Sequence, residues 1–526
     1  MEADHDGGPA AKPERSSFAD LIPIARGRRG LSRRSFLKGS AAGVAAGVLG
    51  PSLSGLAMSR AAAAGPDLGG ATVTPGTKQW QALQALSRPA LRWPDSLPYP
   101  NLPAGVDTMP EIEHVVLVML ENHSFDNILG MLGRGDGYTL GAHGLPTATN
   151  PYTDGRLQHA FQMPSVVQLS NSPSQEWRAS YEAYNGGRMD GFVSAIIGPT
   201  IAEEVGAVAM GYFTGDELPF TYSLASTFPV ADRWFGSMLG QTDPNRRFLI
   251  AGTSSGMTDD LSLSALDPQD AFLAIPAANG TIFDRFDLFN ISWADYATGF
   301  PLGYSPELFP VNDAALLLGS TKRNIGQFFT DAAAGTLPSF SFVEPDYNVQ
   351  SQENPQNVAA GDGFLAQVVN ALGQSPNWSR SLLIFTYDEH GGYYDHVVPP
   401  VALAPDLIPP IVQPGESTYE GFERYGVRVP GLVVSPFAKR NYVSSMLYDH
   451  TSVLALLSRK WNLPAMTYRD ANANDLTDLI DLPALASGVP TFPELPKLAA
   501  PGDTAEALAT KSPGQIPPPG TISAAP

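Results

Sequence analysis

The strongest chemistry in this 526-residue chain lies in two pairs of adjoining oxygen-bearing side chains. Asp388 and Glu389 open the run Asp388-Glu389-His390-Gly391-Gly392-Tyr393-Tyr394-Asp395-His396, and Glu121 and Asn122 open Glu121-Asn122-His123-Ser124-Phe125-Asp126-Asn127. Neighbouring carboxylates repel, and ionising both is costly unless a cation lies between them. Asp388, Glu389, Glu121 and the Asn122 carbonyl are therefore candidate metal ligands, although the acidic pair alone is equally compatible with a solvated turn. Such an oxygen-dominated set suits one divalent metal ion, Ca²⁺, Mg²⁺ or Mn²⁺, with Zn²⁺ also admissible. A third segment, Gly240-Gln241-Thr242-Asp243-Pro244-Asn245-Arg246, supplies a hydroxyl. Thr242 ahead of Asp243 and Pro244 reads as a helix N-cap with proline in the first turn. A hydroxyl there adjoins free backbone N–H groups that favour phosphate, and metal coordination would favour its alkoxide as a nucleophile. Read alone, Thr242 is simply a cap.

Each cluster follows an apolar run, which tells how it must be positioned. His114–Leu120 and Ser381–Tyr387 are short continuous apolar stretches ending in polar residues, the pattern of strands buried on both faces. Similar runs span Phe340–Val343 and Val427–Val434. Helical patterns separate them at Asp284–Leu288, Gly363–Leu372 and Thr451–Trp461, the last with Asp449 and Thr451 as capping candidates. Strands alternating with helices predict an α/β sandwich with a mostly parallel sheet, whose chemistry gathers beyond the carboxyl ends of the strands.

Composition narrows the partners. A formal net charge of -20 argues against nucleic acid, which is held through clustered Lys and Arg, and there is no basic stripe. The same acidity would repel an anionic membrane, so a lipid substrate must be captured by local features. The absence of cysteine excludes a thiol nucleophile, a Cys-ligated zinc and any disulfide. At the N-terminus, Arg33-Arg34-Ser35-Phe36-Leu37-Lys38, an Ala/Gly/Val/Leu stretch and Ala61–Ala64 form a charged region, an apolar region and a cleavage site. The paired arginines resemble a twin-arginine export signal. The Gly/Ala-rich stretch is too weakly apolar for a stable transmembrane anchor. Cleavage after Ala64 would remove nine basic and five acidic residues and leave the remainder near -24. The organisation expected is a signal peptide over 1–64, an extended arm over 65–107, a catalytic domain over 108–497 and a disordered Pro/Ala-rich tail over 498–526.

The motifs, taken together and in order, resemble the bacterial phosphoesterase family of phospholipases C and acid phosphatases. Glu121-Asn122-His123-Ser124-Phe125-Asp126 is similar to its E-N-R-S-F-D motif, Gly240–Arg246 to G-x-T-x-P-N-R, and Asp388–His396 with Pro399-Pro400 to D-E-H-G-G-F-Y-D-H-V-x-P-P. Asn185–Phe192, Glu344-Pro345, Gly426–Pro430 and Tyr448–Ser452 add weaker support. The resemblance runs from about Glu113 to Pro464 and implies a three-layer α/β/α sandwich of the alkaline phosphatase type. It also implies a metal held by Glu121, Asn122, Asp388 and Glu389, with Thr242 as both ligand and nucleophile. The substrate implied is a phospholipid or small phosphate ester; the implied partner is the twin-arginine machinery; and the destination is the periplasm, cell wall or exterior.

A leaving alkoxide needs a proton, which makes His390 and His396 candidate donors, each with an alternative role in orienting a ligand. His123 replaces the family's Arg and is a candidate phosphate contact. Arg246 is a candidate anion clamp or an ion-pair partner of Asp243. His450, near a helix start, reads as a capping or packing residue. The chain departs from the family at Gln175 and Asn354, each of which stands where the family has histidine; amides donate hydrogen bonds but supply neither charge nor proton. Tyr212, Phe213, Phe220, Trp234, Phe235, Tyr393 and Tyr394 are candidates for an apolar approach or choline cage, or for core. The leading expectation is a phospholipase C; a broad-specificity acid phosphatase and a non-catalytic phosphate-ligand binding protein are the alternatives.

Overall fold

The computed structural model describes residues 73–168, 173–195, 206–260, 275–298, 305–309, 321–412, 415–502 and 515–522. All belong to one compact unit, Leu31–Pro526. The signal segment and residues 503–514 and 523–526 of the tail lie outside the described residues.

An eight-stranded sheet forms the centre, in the order β12-β6-β11-β10-β1-β9-β7-β8. Its strands are β1 (His114–Leu120), β6 (Val230–Ala231), β7 (Trp293–Ala297), β8 (Lys322–Asn324), β9 (Phe340–Val343), β10 (Ser381–Tyr387), β11 (Gly431–Val434) and β12 (Val443–Ser444). Short pairs β2 (Thr149–Pro151) with β3 (Leu157–His159), and β4 (Phe161–Gln162) with β5 (Gly211–Tyr212), lie outside it. Every pairing in the main sheet is parallel except those of β11 with β10 and β6. All residues of β9, β10 and β11 are buried, and all but the first of β1, so the sheet is covered on both faces.

The covering helices are α1 (Lys78–Ala85), α2 (Phe125–Leu129), α3 (Trp177–Tyr184), α4 (Pro219–Thr227), α5 (Thr242–Ala251), α6 (Ile282–Leu288), α7 (Ile325–Ala334), α8 (Val358–Gln374) and α9 (Thr451–Trp461). Among them α8 packs with α4 and α7, while α5 packs with α6 and α9. Two helical groups about a doubly buried, mostly parallel sheet make the α/β sandwich expected from the sequence.

The differences from expectation have physical causes. Helix α1 stands where an extended arm was expected: Thr77 caps it by accepting from the Trp80 N–H, and Ala82 and Leu83 join a small core with Phe235, Leu403 and Tyr425. The Val427–Val434 run yields a strand only from Gly431, because Arg428 turns inward to pair with carboxylates. Strand β7 escaped notice because Asp295 interrupts its apolar sequence although every residue in it is buried. Asp284 lies inside α6, as the third residue of a capping box begun by Thr281. His450, not Asp449, is the N-cap position of α9; Asp449 Oδ1 instead accepts from the Thr451 hydroxyl at 2.5 Å.

Candidate active site

The parallel register that sets Leu120 beside Tyr387 places the next residues, Glu121 and Asp388, at adjacent strand ends. The chain turns at Asn122 with φ 66°, a left-handed conformation that asparagine tolerates. The Asn122 and Glu389 N–H groups both donate to Asp388 Oδ1, at 3.0 and 2.8 Å. Gly391, at φ 64°, makes the crossing of the two loops possible: a Cβ there would lie 2.7 Å from the Asn122 carbonyl carbon. The Gly391 N–H donates to Glu389 Oε2 at 2.7 Å, fixing that carboxylate.

Thr242 is the first helical residue of α5, and the N-cap position falls to Gln241. Its hydroxyl is therefore not committed to capping, contrary to the cap expected from the sequence. Asn245 pins the preceding turn through its amide, which donates to the carbonyls of Gly240 and Gln241 at 3.2 and 2.9 Å. The Thr242 hydroxyl donates to Asn122 Oδ1 at 3.1 Å. That same Oδ1 lies 3.1 Å from Asp388 Oδ1 and 3.0 Å from Glu389 Oε1. Two arrangements satisfy such a cluster: the amide turns over so that its nitrogen donates to all three oxygens, or a cation enters among the four. The donor set thus fits a hard divalent ion.

Behind these oxygens sits Arg246, fully buried. Its Nε donates to Asp388 Oδ2 at 3.0 Å and its Nη2 to Glu121 Oε1 at 3.2 Å. Nη1 donates to Ser305 Oγ and the Tyr347 hydroxyl at 3.0 and 2.9 Å, and Glu344 lies 3.8 Å away. Burial alone would lower the Arg246 pKa, but Tyr347, Asp388 and Glu344 more than offset it, so it stays cationic. With its donors spent on the carboxylates and their neighbours, Arg246 is a positioning residue, not an anion clamp. Glu121, Asp388 and Glu389, with Glu344 also beside the guanidinium, outnumber the single positive charge of Arg246, an excess that a divalent ion would reduce.

The histidines divide sharply. His390 Nδ1 lies 3.2 Å from Glu389 Oε2, while its Nε2 is buried with no hydrogen-bond partner. Burial lowers its pKa to about 3. His450 donates from Nε2 to the Asp388 carbonyl at 2.5 Å and accepts from Trp234 at Nδ1, so it orients the Asp388 backbone as a neutral ring. His123 is engaged internally at both nitrogens, by Asn127 Oδ1 at 2.7 Å and the Gln352 carbonyl at 3.0 Å, and stacks on Tyr393. Burial takes it to about 4, and both ring nitrogens are held by protein groups.

His396 belongs to a separate ionic cluster. Its Nδ1 lies 2.7 Å from Asp126 Oδ2, and its Nε2 lies 3.2 Å from Asp136. Burial would lower its pKa, but Asp126 and then Asp395 outweigh that and raise it to about 9. Asp126, Asp395 and His396 offer ligand atoms within 4.8 Å of one another. Arg428 already supplies a cation there, donating to Asp395 at 2.9 Å and Asp126 at 3.2 Å. We read this cluster as the clamp that ties α2 to the Asp388–His396 loop.

Gln175 and Asn354 both adjoin the site. Pro173 and Ser174 pack on Gly392, which sets the Gln175 segment against the Asp388–His396 loop. Asn354 donates from Nδ2 to the Tyr393 hydroxyl at 3.0 Å, and its Oδ1 is buried without a partner. The seven aromatics, candidates for an apolar approach, a cage or core, are all buried and belong to the core. Glu344 was overlooked as a site residue, although the strand-end rule that finds Glu121 and Asp388 would have found it after Phe340–Val343. Ser305 and Tyr347 carry no sequence signal for their contacts with Arg246.

Fold and site together define an α/β enzyme with its chemistry at the carboxyl ends of parallel strands. A family model described as the phosphoesterase family matches residues 112–464, and one for the twin-arginine translocation signal matches residues 30–50. Non-specific phospholipase C1 of Arabidopsis thaliana is 30% identical over 385 residues, covering 68% of this chain and 69% of its own. Phospholipase C A of Mycobacterium tuberculosis is 28% identical, covering 70% and 77%. Among solved structures, an alkaline phosphatase superfamily protein from Vibrio parahaemolyticus aligns with a TM-score of 0.31 at 12% identity, over 66% of this chain and 78% of its own. The chain belongs to the phosphoesterase family, hydrolases of phosphoric esters, and carries a signal for export. Among the described residues, no helix is long and apolar enough to cross a membrane.

Proposed function

We propose that the chain is an exported phospholipase C that cleaves a phospholipid phosphodiester with Thr242 as nucleophile beside one divalent metal ion. The observation that carries this reading is the convergence of Thr242 Oγ1, Asp388 Oδ1 and Glu389 Oε1 on Asn122 Oδ1 at 3.0–3.1 Å. Relatives named phospholipase C at 28–30% identity support the substrate class. Glu121, Asn122, Asp388 and Glu389 would hold the ion, with Thr242 beside them. When bound, the ion supplies positive charge that favours the Thr242 alkoxide and the phosphoryl oxygens.

The chain's own residues do the rest. Thr242 Oγ1 forms a bond to phosphorus as the bond to the diacylglycerol oxygen breaks, leaving the phosphorylated head group on Thr242. Water then adds to phosphorus, the Thr242–phosphorus bond breaks, and the hydroxyl is restored. The proton lost by Thr242 is regained by the departing alcohol, and the neutral His390 ring, its Nε2 buried and unbonded, is the candidate relay. Arg246 holds Asp388 and Glu121 in place throughout.

Initial rates on p-nitrophenylphosphorylcholine and p-nitrophenyl phosphate, with and without chelator, test the reading. Faster turnover of the diester, lost in chelator, supports it. Preference for the monoester would make the chain a phosphatase, and inertness toward both would make it a binding protein. Thr242→Ala is expected to abolish turnover with an unchanged melting temperature, and a retained rate would remove Thr242 from the mechanism.

A further inference from the structure

Leu407 is 95% exposed, the most exposed large apolar side chain among the described residues. It sits at the tip of Pro405-Asp406-Leu407-Ile408-Pro409-Pro410-Ile411-Val412, where Ile411 is also 37% exposed. The tip is fixed by its anchors. Asp406 Oδ2 accepts from the Thr253 hydroxyl at 2.5 Å and Oδ1 accepts from the Ile408 N–H at 2.8 Å. The Pro405 carbonyl accepts from the Tyr468 N–H at 2.9 Å, and the Ile411 N–H donates to Gly256 at 2.8 Å. Two prolines stiffen what lies between, so Leu407 is held out in water by a rigid loop and gains nothing there.

The loop stands beside the Thr242 turn. Its support at Gly256 leads directly to Thr258 and Asp260; the Asp260 N–H donates to Gln241 Oε1 at 3.0 Å, and the Asp243 N–H donates to Asp260 Oδ1 at 2.7 Å. Farther along the same connection, the Ser417 carbonyl accepts from Trp177 Nε1 at 2.9 Å, and Tyr419, 41% exposed, stacks on Tyr181 at 4.2 Å and 7°. The Trp177 ring in turn lies against Gly240, 3.9 Å from where its Cβ would stand. Exposed Leu407, Ile411 and Tyr419 thus project from segments that Gly256 and Trp177 tie to the Thr242 turn, without themselves touching it.

We infer that Leu407, Ile411 and Tyr419 form an interfacial rim that seats the enzyme on a zwitterionic, phosphatidylcholine-type lipid surface. This rests on the phospholipase reading for its purpose, since a lipid held in a bilayer must be met at its surface. The charge chooses the kind of surface. Residues 405–424 carry Asp406, Glu416, Glu420 and Glu423 against Arg424 and against Lys78, which pairs with Glu420 and Glu423; this local excess of acid and the -20 of the chain as a whole repel an anionic bilayer, and a neutral one lets the apolar tip insert.

Cosedimentation with phosphatidylcholine vesicles tests the rim, using wild type, Leu407→Asp and Leu407→Trp. Because Leu407 supports nothing in the fold, all three are expected to melt alike. Leu407→Asp should weaken vesicle partitioning about tenfold or more, the worth of losing one inserted leucine. Its kcat/KM on vesicle lipid should fall with it, while hydrolysis of soluble p-nitrophenylphosphorylcholine stays unchanged. Leu407→Trp should bind at least as well, with a blue-shifted emission on vesicles. Equal partitioning of wild type and Leu407→Asp overturns the rim, as does a wild type that ignores phosphatidylcholine or prefers anionic vesicles at low salt. A wild-type dimer that Leu407→Asp dissolves, without vesicle binding, would assign the tip to a second copy of the chain. Vesicle binding through Leu407 without hydrolysis of any diester would leave the rim standing and remove the phospholipase reading.

Discussion

Gly391→Ala is expected to separate activity from stability in a way only the proposed site would produce. The residue has φ 64°, which costs an L-amino acid about 1 kcal/mol. Its added methyl would overlap the Asn122 carbonyl oxygen and stand 2.7 Å from its carbon, against 3.4 Å or more for an ordinary contact, so one of the two loops must retreat by about 1 Å or more. Overpacking of that kind costs about 1–3 kcal/mol. Folding should therefore lose about 2–4 kcal/mol, a moderate drop in melting temperature. The retreating residue is Asn122, whose side-chain oxygen lies at the centre of the convergent oxygens. A displacement approaching 1 Å in a reacting geometry costs roughly 10²-fold, so kcat/KM should fall by about 2.7 kcal/mol in barrier terms. Initial rates on a soluble diester, a thermal melt and a calorimetric titration with Ca²⁺ or Mn²⁺ measure the three effects. Gly363→Ala serves as control, because its position in α8 is open space and helix propensity makes the change neutral or stabilising. A Gly391→Ala enzyme with wild-type kcat/KM and cation affinity would refute the placement of Asn122 in the site.

Three further outcomes follow from the buried charges. Arg246→Met leaves Asp388 and Glu121 without their cation and should destabilise by about 3–5 kcal/mol; saturating divalent ion should recover part of the lost melting temperature, and no recovery would argue that these carboxylates do not hold the ion. Excess chelator should lower the melting temperature of the metal-loaded wild type, since a ligand bound only to the folded state stabilises it; an unchanged melt would count against a bound ion. His396, raised from 6.5 to about 9, contributes stability that is full below pH 6.5 and is lost as pH climbs through 9. The shift corresponds to at most about 3 kcal/mol, less because the side chain is 30% exposed. His396→Gln should flatten the decline of urea midpoints between pH 6.5 and 9; parallel declines would dismiss the ion pair with Asp126.

What the sequence revealed, and what it hid, follows from where the information resides. Strands β1, β9 and β10 were legible to the residue because strands buried on both faces must be continuously apolar, and Glu121 and Asp388 were legible because polar residues directly after such runs have one place to go. Strand β7 was hidden because Asp295 breaks the pattern while the fold still buries it. Arg246 read as an anion clamp or as an ion-pair partner of nearby Asp243; the carboxylates it binds, Asp388 and Glu121, lie 142 and 125 residues away and are brought to it only by the closed sheet. His123, a candidate phosphate contact, and His396, a candidate proton donor, looked equally available in sequence, yet one is buried among neutral acceptors and the other beside two carboxylates. Only three-dimensional surroundings separate a histidine near 4 from one near 9.

Arg246 also bears on the order in which this molecule is made. Carboxylates crowded at strand ends, Glu121, Glu344, Asp388 and Glu389, would oppose closure of the sheet if each awaited an ion, but a guanidinium supplied by α5 offsets one of their charges from within. On the metal-dependent reading proposed above, the frame would close before loading. The twin-arginine signal, of the kind read on folded cargo, would then leave either compartment able to supply the ion. Refolding in chelator to a cooperative melt, lower than that of the metal-loaded protein, followed by recovery of activity on adding Ca²⁺ or Mn²⁺, is the behaviour such a self-supporting site should show.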